Sequence, residues 1–461
     1  CCEMTLPRSR FCRLLIVAGV LVWPLFCFSA LAGNKPGDVL TMEQAVAVAL
    51  EHNHEIKAVQ SALAAGRADI GIARSNLLPR ISFEERFLRT NNPGWAFMSR
   101  LNQSRIEAQD FNPALLNSPD AINDFQSSIS VEQPVFVGKA LVGLKMSRIE
   151  ALAREEELRQ KREEVAFAVV TACLNILTAK EYHRVAKIGV EEATERLRIA
   201  TVRYENDVGH YADLLRASTS LTEARQKLNV TATNVTIARR ALGVLLAIND
   251  LPDVTDAEVD FTLKEPDYYI QAAQNRPDLR AFELRADNAR HNVRMAQAGF
   301  LPSIGVGGSY YLHDHNLPLG SEGKSWQVSA FLRWDLFEGT KRIYEGAKAR
   351  HQEAQARQQL AAVKDGVSFK IHKAYLNVEE ARSGAGLARE ALETAQEGAR
   401  ILQLRYENGL TSLGELLNVQ TTLELARAGV VEKNNAYKTA LAVLSFESGI
   451  LLKDLNIDDN R

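Results

Sequence analysis

No proline interrupts the chain between Pro134 and Pro252, and none follows Pro318. Both stretches are rich in Ala, Glu, Arg, Gln and Leu, which lose little freedom on entering a helix. The pattern predicts two very long helices, over about 139–206 and 340–408, each on the order of 100 Å at 1.5 Å per residue. Helices of that length exceed globular dimensions and require lateral partners all along them.

The two stretches are copies of one another. Arg203-Tyr204-Glu205-Asn206 recurs as Arg405-Tyr406-Glu407-Asn408, an offset of 202 residues. The offset holds without a gap for Leu214-Leu215 with Leu416-Leu417, Leu221 with Leu423, and Ala224-Arg225 with Ala426-Arg427. Ala172, Leu174 and Asn175 likewise answer Ala374, Leu376 and Asn377. Upstream, Leu78-Pro79 answers Leu301-Pro302. The chain therefore reads as two structural repeats, 33–252 and 253–461, behind a leader. Each repeat opens with a helix, over about 41–76 and 266–299, and ends with a long helical hairpin.

Between opening helix and hairpin, each repeat carries two segments of alternating polarity: 79–90 and 125–137, then 302–313 and 325–337. Ile81, Phe83 and Phe87 share a face opposite Ser82, Glu84 and Arg86. Ile129, Val131, Val135 and Val137 oppose Ser128, Ser130 and Glu132. Ile304, Val306, Tyr310 and Leu312 oppose Ser303, Gly305 and Ser309, and Trp326, Val328, Leu332 and Trp334 oppose Gln327, Ser329 and Arg333. Strands of this length and alternation suit a tilted crossing of a bilayer, with Tyr310, Trp326 and Trp334 as interfacial aromatics. A soluble sheet with one buried face alternates in the same way. Four strands cannot close a barrel, and open edges are not viable in lipid, so a membrane-spanning set must be pooled from several chains. Three chains would give twelve strands. The loop 91–124 is much longer than 314–324, as expected if one connection carries a large external loop.

Residues 1–32 read as a signal peptide: Arg8, Arg10 and Arg13, an apolar run from Leu14 to Phe28, then Ala30-Leu31-Ala32. Cleavage there would leave 52 basic and 56 acidic residues and the single Cys173. An exported chain with one cysteine has no internal disulfide framework, so packing and assembly must stabilise it. The absence of a basic excess gives no electrostatic case for nucleic acid. Apolar residues at 46% and charged residues at 24% exclude a disordered chain. No nucleophile elbow, phosphate-binding loop or cysteine pair is present, so no enzymatic activity and no cofactor or metal is expected. His313-Asp314-His315 is expected in a solvated surface loop.

Over residues 38–450 the chain resembles the TolC-like outer-membrane efflux proteins. The resemblance is carried by Leu40-Thr41-Met42-Glu43-Gln44-Ala45 with Asn53-His54-Glu55-Ile56, by Asn275-Arg276-Pro277-Asp278-Leu279, by the two Leu-Pro entries, and by Gly409-Leu410-Thr411-Ser412. It implies a mostly helical fold with a small β part. Three chains would close a twelve-stranded barrel in the outer membrane and extend a helical tunnel across the periplasm. Residues near 250–265 and the C-terminal tail would form a belt. It further implies a homotrimer in outer-membrane lipid that meets a periplasmic adaptor protein and an inner-membrane pump of RND or ABC type.

The resemblance also carries roles to the two hairpin tips. Asp213 and Glu415, equivalent at the 202 offset, would form an acidic ring at the entrance. Val208, Gly209, His210, Gly409, Leu410, Thr411 and Ser412 would contact the adaptor, with Gly209 or Gly409 opening each turn. Arg203, Tyr204, Arg405 and Tyr406 would pack the closed entrance. Some family members lock that entrance with an Arg in the turn, where this chain has Thr411. Ser412-Leu413-Gly414-Glu415 also fits a capping box, which would make Glu415 a helix cap instead. A soluble periplasmic adaptor or coiled-coil scaffold is the alternative reading of the whole chain.

Overall fold

The computed structural model describes residues 39–255 and 263–457. The expected signal peptide, part of the expected belt and the last four residues lie outside the described residues. Strand β1 (Val39–Leu40) leads into α1 (Met42–His52), whose start is fixed reciprocally by Thr41 and Gln44. A single opening helix was expected here, but the chain breaks at Asn53 and continues as α2 (His54–Ser75). The Asn53 side chain accepts from the amides of Glu55 and Ile56 and donates 2.9 Å to the Leu245 carbonyl. It thus caps α2 and ties the corner to a distant helix. Strand β2 (Arg80–Thr90), helices α3 (Pro93–Asn102) and α4 (Pro113–Asn117), and strand β3 (Ile122–Phe136) follow. The loop 91–124 is thus partly helical, and β3 begins before the expected 125 because Ile122 pairs with Thr90.

Helix α5 (Gly138–Glu205) has 68 residues and turns into α6 (Tyr211–Leu245). Strand β4 (Asp253–Val254) pairs in parallel with β1. The opening of the second half is also two helices, α7 (Pro266–Ala273) and α8 (Pro277–Ala298), each with proline in its first turn, where a missing N–H costs nothing. Strands β5 (Ser303–Asp314) and β6 (Gly323–Arg333), the 67-residue α9 (Lys341–Glu407), α10 (Leu413–Glu447) and α11 (Leu451–Asp454) complete the order.

The four long strands form one antiparallel sheet ordered β2-β3-β5-β6. Its register brings apolar residues of neighbouring strands side by side in two rows. Phe83, Ile129, Tyr310 and Trp326 form one row, and Ile81, Val131, Gly308 and Val328 the next. On the other face run Ser82, Ser130, Ser309 and Gln327, with the Ser130 and Ser309 hydroxyls 2.9 Å apart. The apolar face is bare within one chain: Trp326 and Val328 are each 74% exposed. Among the described residues, strands β2 and β6 leave their outer edges unpaired.

Packing is concentrated at three levels of the helical part. The largest core gathers α1, Val165–Ile176 of α5, the end of α6, Val254 and the α11 leucines. A second joins Tyr269 of α7 to Val367, Ile371 and Val378 of α9. The third, at the hairpin tips, consists of Ala200, Ala217, Tyr406, Leu413 and Leu416. Cys173 is fully buried in the first core, and burial pushes its thiol up to about 12. His313 and Asp314 are not in a solvated loop: β5 runs through Asp314, which pairs with Phe125. His313 is buried with its Nδ1 3.2 Å from Asp124.

Candidate functional site

The two tips are built by the same local rule. At the first, Asp207 adopts a left-handed φ of 59°, the Val208 amide donates to the Arg203 carbonyl and the Asp207 amide to the Tyr204 carbonyl. At the second, Gly409 has φ 74°, Leu410 donates to Arg405 and Gly409 to Tyr406. Both are Schellman endings, which satisfy the last carbonyls of a helix. The residue that opens the first turn is therefore Asp207 and not Gly209. Gly209 answers a different need: a Cβ there would stand 2.9 Å from the Arg203 Cβ. At the 202 offset, Val208, Gly209 and His210 stand opposite Leu410, Thr411 and Ser412.

The return helices start differently. Ser412 accepts from the Glu415 amide at 3.3 Å, whereas His210 offers no side-chain cap. The expected capping box at Ser412 is only half formed. The Glu415 carboxylate does not return to the backbone; it takes the Thr411 hydroxyl and stays exposed. Asp213 is half-buried in the first turn of α6.

Equivalence in sequence does not carry over to equivalence in space. Tyr406 is buried, 3% exposed, in the tip core, while Tyr204 is 42% exposed and rests its ring 5.5 Å from that of Tyr211. Arg203 crosses from one hairpin to the other. Its Nη1 donates to the Tyr406 carbonyl at 2.8 Å and the Glu407 carbonyl at 3.3 Å, and its Nη2 reaches Val208 at 3.4 Å. Its guanidinium carbon also lies 5.2 Å from the centre of the Tyr406 ring. Arg405 is exposed. Burial pushes the Tyr406 phenol up, and the charge of Asp213 pushes the same way against that of Arg203. Asp213, Arg203 and Tyr406 thus form one electrostatic cluster, with Leu413 and Leu416 fully buried beneath it.

At the far end of the hairpins the aromatics are spread along the strands. Trp326 and Tyr310 are cross-strand partners. Trp334 lies just beyond β6 and donates its indole N–H to the Phe300 carbonyl at 3.1 Å, where α8 gives way to β5. Eight residues separate the two tryptophans, about 26 Å along a strand at roughly 3.3 Å per residue. An apolar barrel band is about 25 Å tall.

The "Outer membrane efflux protein" family profile matches residues 45–247 and 268–449. The alkaline protease secretion protein AprF of Pseudomonas aeruginosa is 23% identical over 422 residues, covering 88% of this chain and 83% of its own. The outer membrane efflux protein BepC of Brucella suis is 21% identical over 311 residues, 66% of this chain and 67% of that protein. Among solved structures, CusC superposes with a TM-score of 0.76 at 16% identity, covering 91% of this chain and 95% of that one.

Proposed function

Because the chain belongs to the outer membrane efflux proteins, we propose that it is the outer-membrane exit duct of a tripartite efflux or secretion system. Three copies would pair β6 of one chain with β2 of the next, which preserves the antiparallel alternation and leaves no open edge. The resulting twelve strands present the Phe83–Trp326 rows to lipid and the serine rows to the lumen. The long hairpins then reach about 100 Å into the periplasm. The duct is passive and non-catalytic; the work comes from an inner-membrane pump of RND or ABC type, coupled through a periplasmic adaptor that contacts residues 208–210 and 409–412.

The observation that carries this reading is the register of the sheet. Phe83, Ile129, Tyr310 and Trp326 line up across all four strands on a face that one chain leaves bare, with Ile81, Val131 and Val328 in the next row, between two edges unpaired among the described residues. A soluble scaffold would leave that face in water, at about 25 cal/mol per Å² of apolar surface. At the other end, Asp213 and Glu415 would give six carboxylates around one axis, a ring that prefers cations. Both an efflux protein and an alkaline protease secretion protein are among the relatives, in keeping with a duct for efflux or secretion.

The experiment is single-channel recording of the purified chain in planar bilayers, beside Asp213→Asn and Glu415→Gln. Small cation-selective steps that lose selectivity in the variants are expected. Steps indifferent to both changes would remove the acidic entrance, and a soluble protein that never inserts would replace the duct with the scaffold.

A further inference from the structure

A second feature lies above the tips, within the groove between the two hairpins. On α5 the buried stripe Gly189, Ala193, Arg196, Ala200 consists of small residues except for one arginine. Arg196 is 4% exposed, yet its Nε has no hydrogen-bond partner and it makes no ion pair among the described residues. It lines a cleft of about 620 Å³ between α5, α6 and α10. Across that cleft, Gln420 is also buried, and its Oε1 is likewise unpartnered.

The charges around Arg196 are already committed. Glu192 holds Arg427 in a two-pronged pair at 2.8 and 3.1 Å, and Glu424 holds Lys227 at 3.0 Å. Three cations thus share two carboxylates, and Arg216 on the cleft wall adds a fourth positive charge, with exposed Glu223 beside it. Burial works against the charge of the Arg196 guanidinium, and Glu192 and Glu424 only partly restore it. Leaving a buried charged donor unmet is expensive. The coil itself does not require an arginine, because the equivalent position of the second half is Gly398.

We propose that this cleft binds a small oxyanion, with a carboxylate or phosphate group taken by the Arg196 fork and flanked by Arg216. A guanidinium offers two parallel N–H donors that match either group. The bound anion would supply the missing negative charge and join α5, α6 and α10 two turns above the Arg203 bridge.

The test is isothermal titration of the full chain, purified in detergent without either anion, against inorganic phosphate and, separately, citrate. One site per chain with Kd of about 1 mM or tighter for at least one of them is expected. Response to phosphate alone or to citrate alone identifies which oxyanion the cleft prefers. Arg196→Gln should weaken binding at least about tenfold, the loss of a charge-assisted hydrogen bond. Arg216→Gln, at an exposed position where folding is not at stake, should weaken it severalfold. Arg198→Gln, on the solvent side with Glu195, should leave it unchanged. No binding of either anion by the unaltered chain, or equal binding by Arg196→Gln and Arg216→Gln, would overturn the proposal.

Discussion

Replacing Arg203 by alanine removes the bond between the two hairpin tips, and its size follows from the contacts. The guanidinium donates to the Tyr406 carbonyl at 2.8 Å and more weakly to Glu407 and Val208. A hydrogen bond from a charged donor contributes about 1.5–3 kcal/mol when buried. Arg203 is half-exposed, so about 1–1.5 kcal/mol is the appropriate share, and its approach to the Tyr406 ring adds about 0.5–1 kcal/mol. The sum is about 2 kcal/mol per chain; on the proposed gating role it would shift the closed-to-open ratio roughly thirtyfold, since each 1.4 kcal/mol is tenfold. In planar bilayers Arg203→Ala should therefore lengthen dwell times in the larger conductance states. Arg203→Lys keeps the charge but cannot span two carbonyls and should behave nearly like alanine. Arg405→Ala, the equivalent position without the bridge, should match the unaltered channel. If Arg203→Ala gated normally, or Arg405→Ala opened the channel as much, the tip-to-tip bridge would not be what holds the entrance.

Arg276, 4% exposed, pairs with Asp278 at 2.8 Å and Glu447 at 3.0 Å. Arg276→Ala should lower stability by about 3–5 kcal/mol in denaturant titration, because two carboxylates lose a buried partner. Burial alone would raise the Asp278 carboxyl, but the hydrogen bonds and charge of Arg276 outweigh it and hold it below its ordinary range. The associated stability is complete above about pH 4 and is lost as pH falls through the lower folded value, a dependence Asp278→Asn should flatten. With its thiol pushed up to about 12 by burial, Cys173 should resist maleimide at pH 8 until the chain is denatured, and labelling of the folded protein would contradict that packing. Trp326→Arg should cost up to about 2–4 kcal/mol in bilayer-based unfolding, whereas Gln327→Arg on the opposite face should cost little.

Much of the molecule was legible because its signals are local. Absence of proline with a helix-favouring composition predicted α5 and α9 to within a residue or two, and period-2 alternation marked the four long strands. The misses have local signals too weak to outweigh a longer pattern. Asn53 breaks the opening helix by capping α2 and binding Leu245 across the fold, a partner no local pattern identifies. Pro266 and Pro277 each start a helix in the second half, where a single helix over 266–299 was expected. His313-Asp314-His315 was expected in a solvated loop although the expected strand ended at 313; pairing with β3 carries the strand through Asp314. Arg196 was not singled out; its only sequence signal is that of one arginine in a stripe of glycine and alanine.

What the sequence determined by itself was everything set by period and repetition: long hairpins, alternating strands, two halves in one order, and hence a chain that cannot bury its own surface. Repetition, however, conveys likeness and not position. Tyr204 and Tyr406, or Arg203 and Arg405, are the same residues in the same local helix. Only the packing of one hairpin against the other buries Tyr406 and stretches Arg203 across to its carbonyl. A single duplicated sequence folded side by side gives its halves different neighbours, and burial, charge and hydrogen bonding depend on those neighbours. That is why the contacts between the tips and the unpaired Arg196 were decided by tertiary structure alone.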